Sequence, residues 1–161
     1  MRKILCVLLA VVFVWGSLPV SAETAESVSV SAYAAVLYEP VSGTVLFEKN
    51  SREVLPVAST TKIMTCILGL ELGKDKLDQP INITNDSLNL TDASVLGIYP
   101  GDKVSLREAM TGMMIVSGCD VAVDVAETVT PSISTFVQDM NDKAAQIGAS
   151  VDEFRDPFDF H

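Results

Sequence analysis

The sequence predicts an α+β domain with an unfinished sheet. Two strand signals come first, wrapped around one turn, and everything after them reads as helix or loop. A two-stranded hairpin is marginal alone and needs further strands beside it, yet the chain supplies none before it stops at His161.

Residues 1–22 stand apart from that domain. MRK is a basic head, ILCVLLAVVFVWGSL an apolar core, and Val20-Ser21-Ala22 a small-x-small cleavage site before Glu23. That is the pattern of a secretory signal peptide, and the apolar run is short for a membrane span. Residues 23–32 form a polar leader, and residues 33–161 the domain itself.

The strands are AYAAVLYE and GTVLFEKN, with Pro40-Val41-Ser42-Gly43 as the hairpin turn. Next, Ser59 to Leu72 carries Ile63, Met64, Cys66, Ile67, Leu68, Leu70 and Leu72 on nearly every side. A helix without a polar face is a buried one, so this reads as a central helix with Ser59 as its N-cap. Residues 73–104 are loop-rich, punctuated by Pro80, Gly97 and Pro100-Gly101. Ser105-Leu106-Arg107-Glu108 is a capping box, opening a helix with Leu106, Ala109, Met110, Met113 and Met114 at helical spacing and Gly118 at its end. Asp120 caps the following helix, whose Val121, Val125 and Val129 share a face before Pro131. A last helix runs from about Ser134 to Ile147, with Phe136, Met140 and Ala144 inward and Gly148 as its stop.

Composition narrows the function classes. The 161 residues are 48% apolar and 20% charged, the balance of a globular chain. Loss of Arg2 and Lys3 with the signal leaves nine basic against 21 acidic residues, a net charge of −12. So acidic a chain, with no basic cluster, argues against nucleic acid and anionic membrane surfaces as partners. Cys66 and Cys119 remain after cleavage and fit no metal-site spacing. Both are expected to be free thiols, Cys119 being the more reactive for its place at an exposed turn. With His161 the one histidine, a Ser-His-Asp triad is disfavoured and a serine nucleophile needs another base.

Lys62 supplies one. It stands three residues after Ser59, on the same helical face, where its amine can approach the Ser59 hydroxyl. A cation at the positive end of a helix costs stability, so local helix energetics do not explain this lysine. Burial at that position disfavours the ammonium and suits the residue to work as a base. Ser-x-x-Lys is then a nucleophile with its activator. Bare, the pattern occurs by chance in many proteins. A second signal, Ser117-Gly118 at the junction of two helices, supplies a further hydroxyl on a turn able to face the first.

Together the stretches AAVLYEPVSGTVLFEKN, LPVASTTKIMT, ASVLGIYPGDKVSLREAMTGMMIVSG and DVAVDVAE resemble the serine-type D-alanyl-D-alanine carboxypeptidases, the low-molecular-weight penicillin-binding proteins. The resemblance implies the β-lactamase/transpeptidase-like fold, here as an N-terminal hairpin plus helical lobe without the C-terminal strands. It implies Ser59 as the acylated nucleophile, Lys62 as its general base, and Ser117 as the proton relay of an S-x-N motif. It further implies a peptidoglycan stem peptide ending in D-Ala-D-Ala as substrate, β-lactams as inhibitors, and no metal or cofactor. The location implied is the periplasmic or extracellular face of a bacterial envelope, with no membrane anchor visible in the sequence.

Two departures stand out. Cys119 occupies the substrate-contacting Asn position, and a thiol cannot offer an amide's donor and acceptor together. No Lys-Thr-Gly occurs, and the closing EFRDPFDFH resembles F-x-N-P-x-G-L with Asp156 for Asn and Asp159 for Gly. The expectation is a truncated carboxypeptidase that is inactive as it stands and marginally stable. A class A β-lactamase shares Ser-x-x-Lys but wants S-D-N as its second motif. A muropeptide-binding pseudoenzyme keeps the fold without the chemistry.

Overall fold

The computed structural model describes residues 28–84, 90, 93–149 and 153–158. The signal peptide, the first half of the polar leader (residues 23–27), Asp159 and His161 lie outside these residues. The chain divides into two units, residues 1–53 and 54–161, each with its own organisation.

In the first unit β1 (Ala35–Glu39) pairs antiparallel with β2 (Thr44–Lys49), the hairpin that the sequence predicts. Ala35 faces Lys49 and Leu37 faces Phe47; a bulge after Leu37 then brings Tyr38 opposite Val45. Glu39 builds the turn. Its carboxylate accepts from the Val41 N–H at 2.9 Å and the Ser42 N–H at 2.6 Å, and the Ser42 side chain, followed by these two N–H groups, holds the carboxyl below its usual range. Gly43 takes the left-handed conformation (φ 73°) that closes the turn. At the open end, the Lys49 amine donates to the carbonyls of Val30 and Ala32, so the end of the leader is tied to the hairpin. Val36 and Leu37 point to opposite faces, and both are more than half exposed. Both faces of this sheet therefore carry exposed apolar side chains.

The second unit holds a 3-10 turn (Ala58–Thr60) and four helices: α1 (Thr61–Leu72), α2 (Leu106–Val116), α3 (Cys119–Val129) and α4 (Ile133–Ile147). The two structured units together give the α+β architecture expected.

The central helix is α3, which corrects the sequence reading. Every residue from Cys119 to Ala126 is buried. On α1, by contrast, Ile63 is 51% and Leu70 46% exposed, while Thr61, Lys62, Thr65 and Gly69 are inward. Met64 and Leu68 are inward as well, so the buried face of α1 mixes apolar with small and polar residues, and hydrophobicity alone does not assign it. Gly69 shows the closeness: a Cβ there would stand 2.7 Å from Met110 Sδ and 3.2 Å from a Val125 methyl. Met114 is a second correction, being half exposed at the margin of the buried stripe Leu106, Ala109, Met110 and Met113.

Caps follow chemistry. Ser105 Oγ accepts from the Glu108 N–H while the Glu108 carboxylate accepts from the Ser105 N–H, the reciprocal box expected. α4 begins a residue earlier than predicted because Ser132 caps it, accepting from the Thr135 N–H at 3.1 Å.

The capping box carries a pH signature. Hydrogen bonds from the Ser105 hydroxyl and then its N–H lower the Glu108 carboxyl below its ordinary value. A group so lowered adds stability that is present above its unfolded pKa and lost as pH falls through the folded one. Glu108→Gln should therefore be less stable than the parent in denaturant at pH 7, with the difference shrinking at an acid pH below the ordinary carboxylate value. A gap of equal size at both pH values would show that the charge of Glu108 contributes nothing.

Candidate active site

Ser59 lies inside the 3-10 turn, not at a helix N-cap, and this too is a correction. The N-cap of α1 is Thr60, and no side chain caps that terminus. Ser59 is exposed. Ala58 before it adopts φ 45°, a left-handed conformation that a non-glycine residue holds only when its surroundings impose it. An alanine gives no sequence signal of such strain.

Lys62 enters from the first turn of α1 and is 2% exposed. Its Nζ donates to Ser59 Oγ at 3.3 Å and to the main-chain carbonyl of Phe158 at 3.4 Å. The expected pair is thus in contact, serine outward and amine inward. The Phe158 carbonyl went unnoticed in the sequence because a backbone acceptor 96 residues away leaves no pattern.

That carbonyl is held by a short strap, residues 153–158. The Thr65 hydroxyl donates to the Pro157 carbonyl, and Asn141 forms a reciprocal pair with Phe154, at 2.8 Å to its N–H and 3.0 Å to its carbonyl. Asp156 accepts from the Phe158 N–H at 2.9 Å. Aspartate here makes the short turn that asparagine makes equally well, so the departure at this position is conservative in backbone terms.

Ser117 is the C-cap of α2, with φ 59° and ψ 37°. No hydrogen bond joins it to Ser59 or Lys62 among the described residues. Its own neighbour is Cys119, whose thiol lies 3.8 Å from the Ser117 carbonyl. Helices α2 and α3, which meet at this turn, both pack on α1.

Both cysteines are free, but their accessibility is the reverse of the expectation. Cys119 is 2% exposed at the start of α3, whereas Cys66 is partly exposed and burial pushes its thiol above the ordinary value. The turn is open at Ser117 and closes over Cys119.

Asp120 is likewise not the cap of α3. Gly118 is, and the Asp120 carboxylate reaches back to the N–H groups of Leu96 and Gly97, both at 2.9 Å. Among the described residues no three His, Cys, Asp or Glu side chains gather as metal ligands would, and no helix is long and apolar enough to cross a membrane.

An exposed serine joined to a buried lysine one helical turn on has the arrangement of a serine acyl-transfer pair. The profile of peptidase S11, D-alanyl-D-alanine carboxypeptidase, matches residues 21–158, and the chain belongs to this family. It is 36% identical over 129 residues to D-alanyl-D-alanine carboxypeptidase DacF of Bacillus subtilis, and 35% identical over 141 residues to DacC of Escherichia coli. These matches cover 78% and 83% of the chain but 33% and 35% of the relatives, so it spans about a third of their length.

Among solved structures, DacD of Francisella tularensis matches with a TM-score of 0.76 at 32% identity, over 83% of this chain and 33% of that one. The Streptomyces K15 DD-transpeptidase matches with a TM-score of 0.78 at 25% identity, over 83% of this chain and 55% of that one. That enzyme has been solved with a serine changed to alanine and, two positions further on, with a cysteine changed to asparagine or alanine.

Proposed function

We propose that the chain is the catalytic N-terminal part of an exported serine-type D-Ala-D-Ala carboxypeptidase acting on peptidoglycan stem peptides. The contact between Ser59 Oγ and Lys62 Nζ carries this reading. Lys62 takes the hydroxyl proton as Ser59 attacks the penultimate D-Ala carbonyl. The tetrahedral adduct collapses, the C–N bond breaks, and Ser117 passes a proton to the departing D-Ala nitrogen. Water then hydrolyses the ester and restores Ser59. A β-lactam acylates the same oxygen by opening its ring amide.

Cys119 is compatible with this chemistry. A serine and a cysteine two positions apart, both chosen for substitution in the K15 transpeptidase, have the spacing of Ser117 and Cys119. That spacing favours a DD-peptidase over a class A β-lactamase.

The 161 residues contain no Lys-Thr-Gly and span a third of their relatives, so turnover by this chain alone is not expected. The test therefore uses the chain extended with the rest of a relative's length. Labelled penicillin should be captured and held; rapid release would make the protein a β-lactamase, and no capture a binding module. In the same protein, Ser117→Ala should slow acylation by about 10²-fold or more, the usual range for a lost proton-transfer group. Acylation at the parent's rate removes Ser117 from the mechanism.

A further inference from the structure

Ser117 holds a left-handed conformation with no glycine to make it cheap, so something must impose it. The segment 94–97 lies across the turn. Its Ser94 carbonyl accepts from the Cys119 N–H at 2.7 Å. Leu96 and Gly97 direct their N–H groups at the two oxygens of Asp120, which is 2% exposed. The Val121 N–H donates to the same carboxylate at 2.8 Å, so three backbone donors converge on one buried anion in the first turn of α3.

The fit is tight. A Cβ on Gly118 would stand 3.0 Å from Asp120 Oδ1 and 3.1 Å from the Leu96 nitrogen; one on Gly112 would stand 2.6 Å from a Leu96 methyl. The glycine between Ser117 and Cys119 is thus explained by space, since its own φ of −63° suits any residue. Further along the same face of α3, Asp124 accepts from the Thr84 N–H at 3.0 Å and Thr128 from the Asn82 N–H at 3.2 Å. Acceptors four residues apart thus fasten the long connection to α3, and Asp120 is the one nearest the candidate site.

We propose that Asp120 is a positioning residue: its carboxylate is the clasp that holds residues 94–97 over Ser117-Gly118-Cys119, fixing the Ser117 backbone and covering the Cys119 thiol. The consequence for acylation rests on the reading of Ser117 as a proton relay; the clasp itself does not.

The two thiols make the test. In the full chain, a small maleimide should modify Cys119 more slowly than Cys66, followed by mass spectrometry of the labelled peptides. Asp120→Ala removes all three acceptor contacts and should speed modification of Cys119 on the order of ten- to a hundredfold, leaving Cys66 unchanged. Asp120→Asn keeps one acceptor oxygen and should fall between; it also decides the matter where the alanine variant does not fold. An unchanged Cys119 rate, or a rise at both cysteines together, overturns the clasp.

A second arm separates the clasp from the relay. Ser117→Ala should leave Cys119 trapping at the parent rate, whatever it does to acylation. In the extended protein, Asp120→Ala should slow penicillin acylation but add nothing once Ser117 is alanine. Further slowing in the double variant shows that Asp120 acts by another route and overturns the positioning role. Should Ser117→Ala acylate normally, the relay reading fails alone and thiol trapping still decides the clasp.

Discussion

Covalent capture of penicillin is expected to vanish in Ser59→Ala while the helical unit folds as before. The hydroxyl is exposed, makes no capping bond and touches Lys62 through a single contact, so its loss removes little structure. A surface substitution of that kind ordinarily shifts stability by about 0.5 kcal/mol or less. Chemically the change is total, because alanine has no oxygen to acylate. The check is a gel of the extended protein after labelled penicillin, with circular dichroism to confirm folding. A labelled band in Ser59→Ala would place the nucleophile elsewhere.

Lys62→Met should separate chemistry from stability in the opposite direction. Lys62 is buried, and among the described residues the groups its amine meets, a hydroxyl and a carbonyl, carry no charge. A buried amine without a counter-charge is held at a cost, and an apolar side chain of similar length removes that cost. The variant should unfold at equal or higher denaturant concentration, a gain of about 1 kcal/mol being the order expected. Acylation should fall by about 10²–10⁴, the range for loss of a general base. A variant that no longer folds would make Lys62 a structural residue; one that acylates at the parent rate would hand the base to another group.

The sequence was most legible where chemistry is local. The hairpin turn, the Ser105–Glu108 box and the Ser59–Lys62 spacing each depend on residues within a few positions, and each stands as expected. It was least legible where a residue serves a distant partner. Asp120 had the composition of a cap, but its carboxylate is taken by Leu96 and Gly97. The helix judged central was misread because Thr61, Lys62, Thr65 and Gly69 share its inward face with Met64 and Leu68 while Ile63 and Leu70 stand outward, and α3 hides two aspartates at Asp120 and Asp124 that bind loop N–H groups. Cys119 looked reachable because it follows Ser-Gly, yet it is buried, and its N–H is bound to the carbonyl of Ser94, more than twenty positions earlier. Periodicity reports which positions are apolar; it does not report which polar groups are satisfied indoors.

The strap that ends at Phe158 has a consequence in time as well as in space. Ser59 and Lys62 are made early, yet the carbonyl that anchors the amine arrives 96 residues later, after all four helices. Closing so long a loop is an entropic cost met only when the intervening helices have packed. The pair therefore acquires its contact with the Phe158 carbonyl only after all four helices have been made and packed.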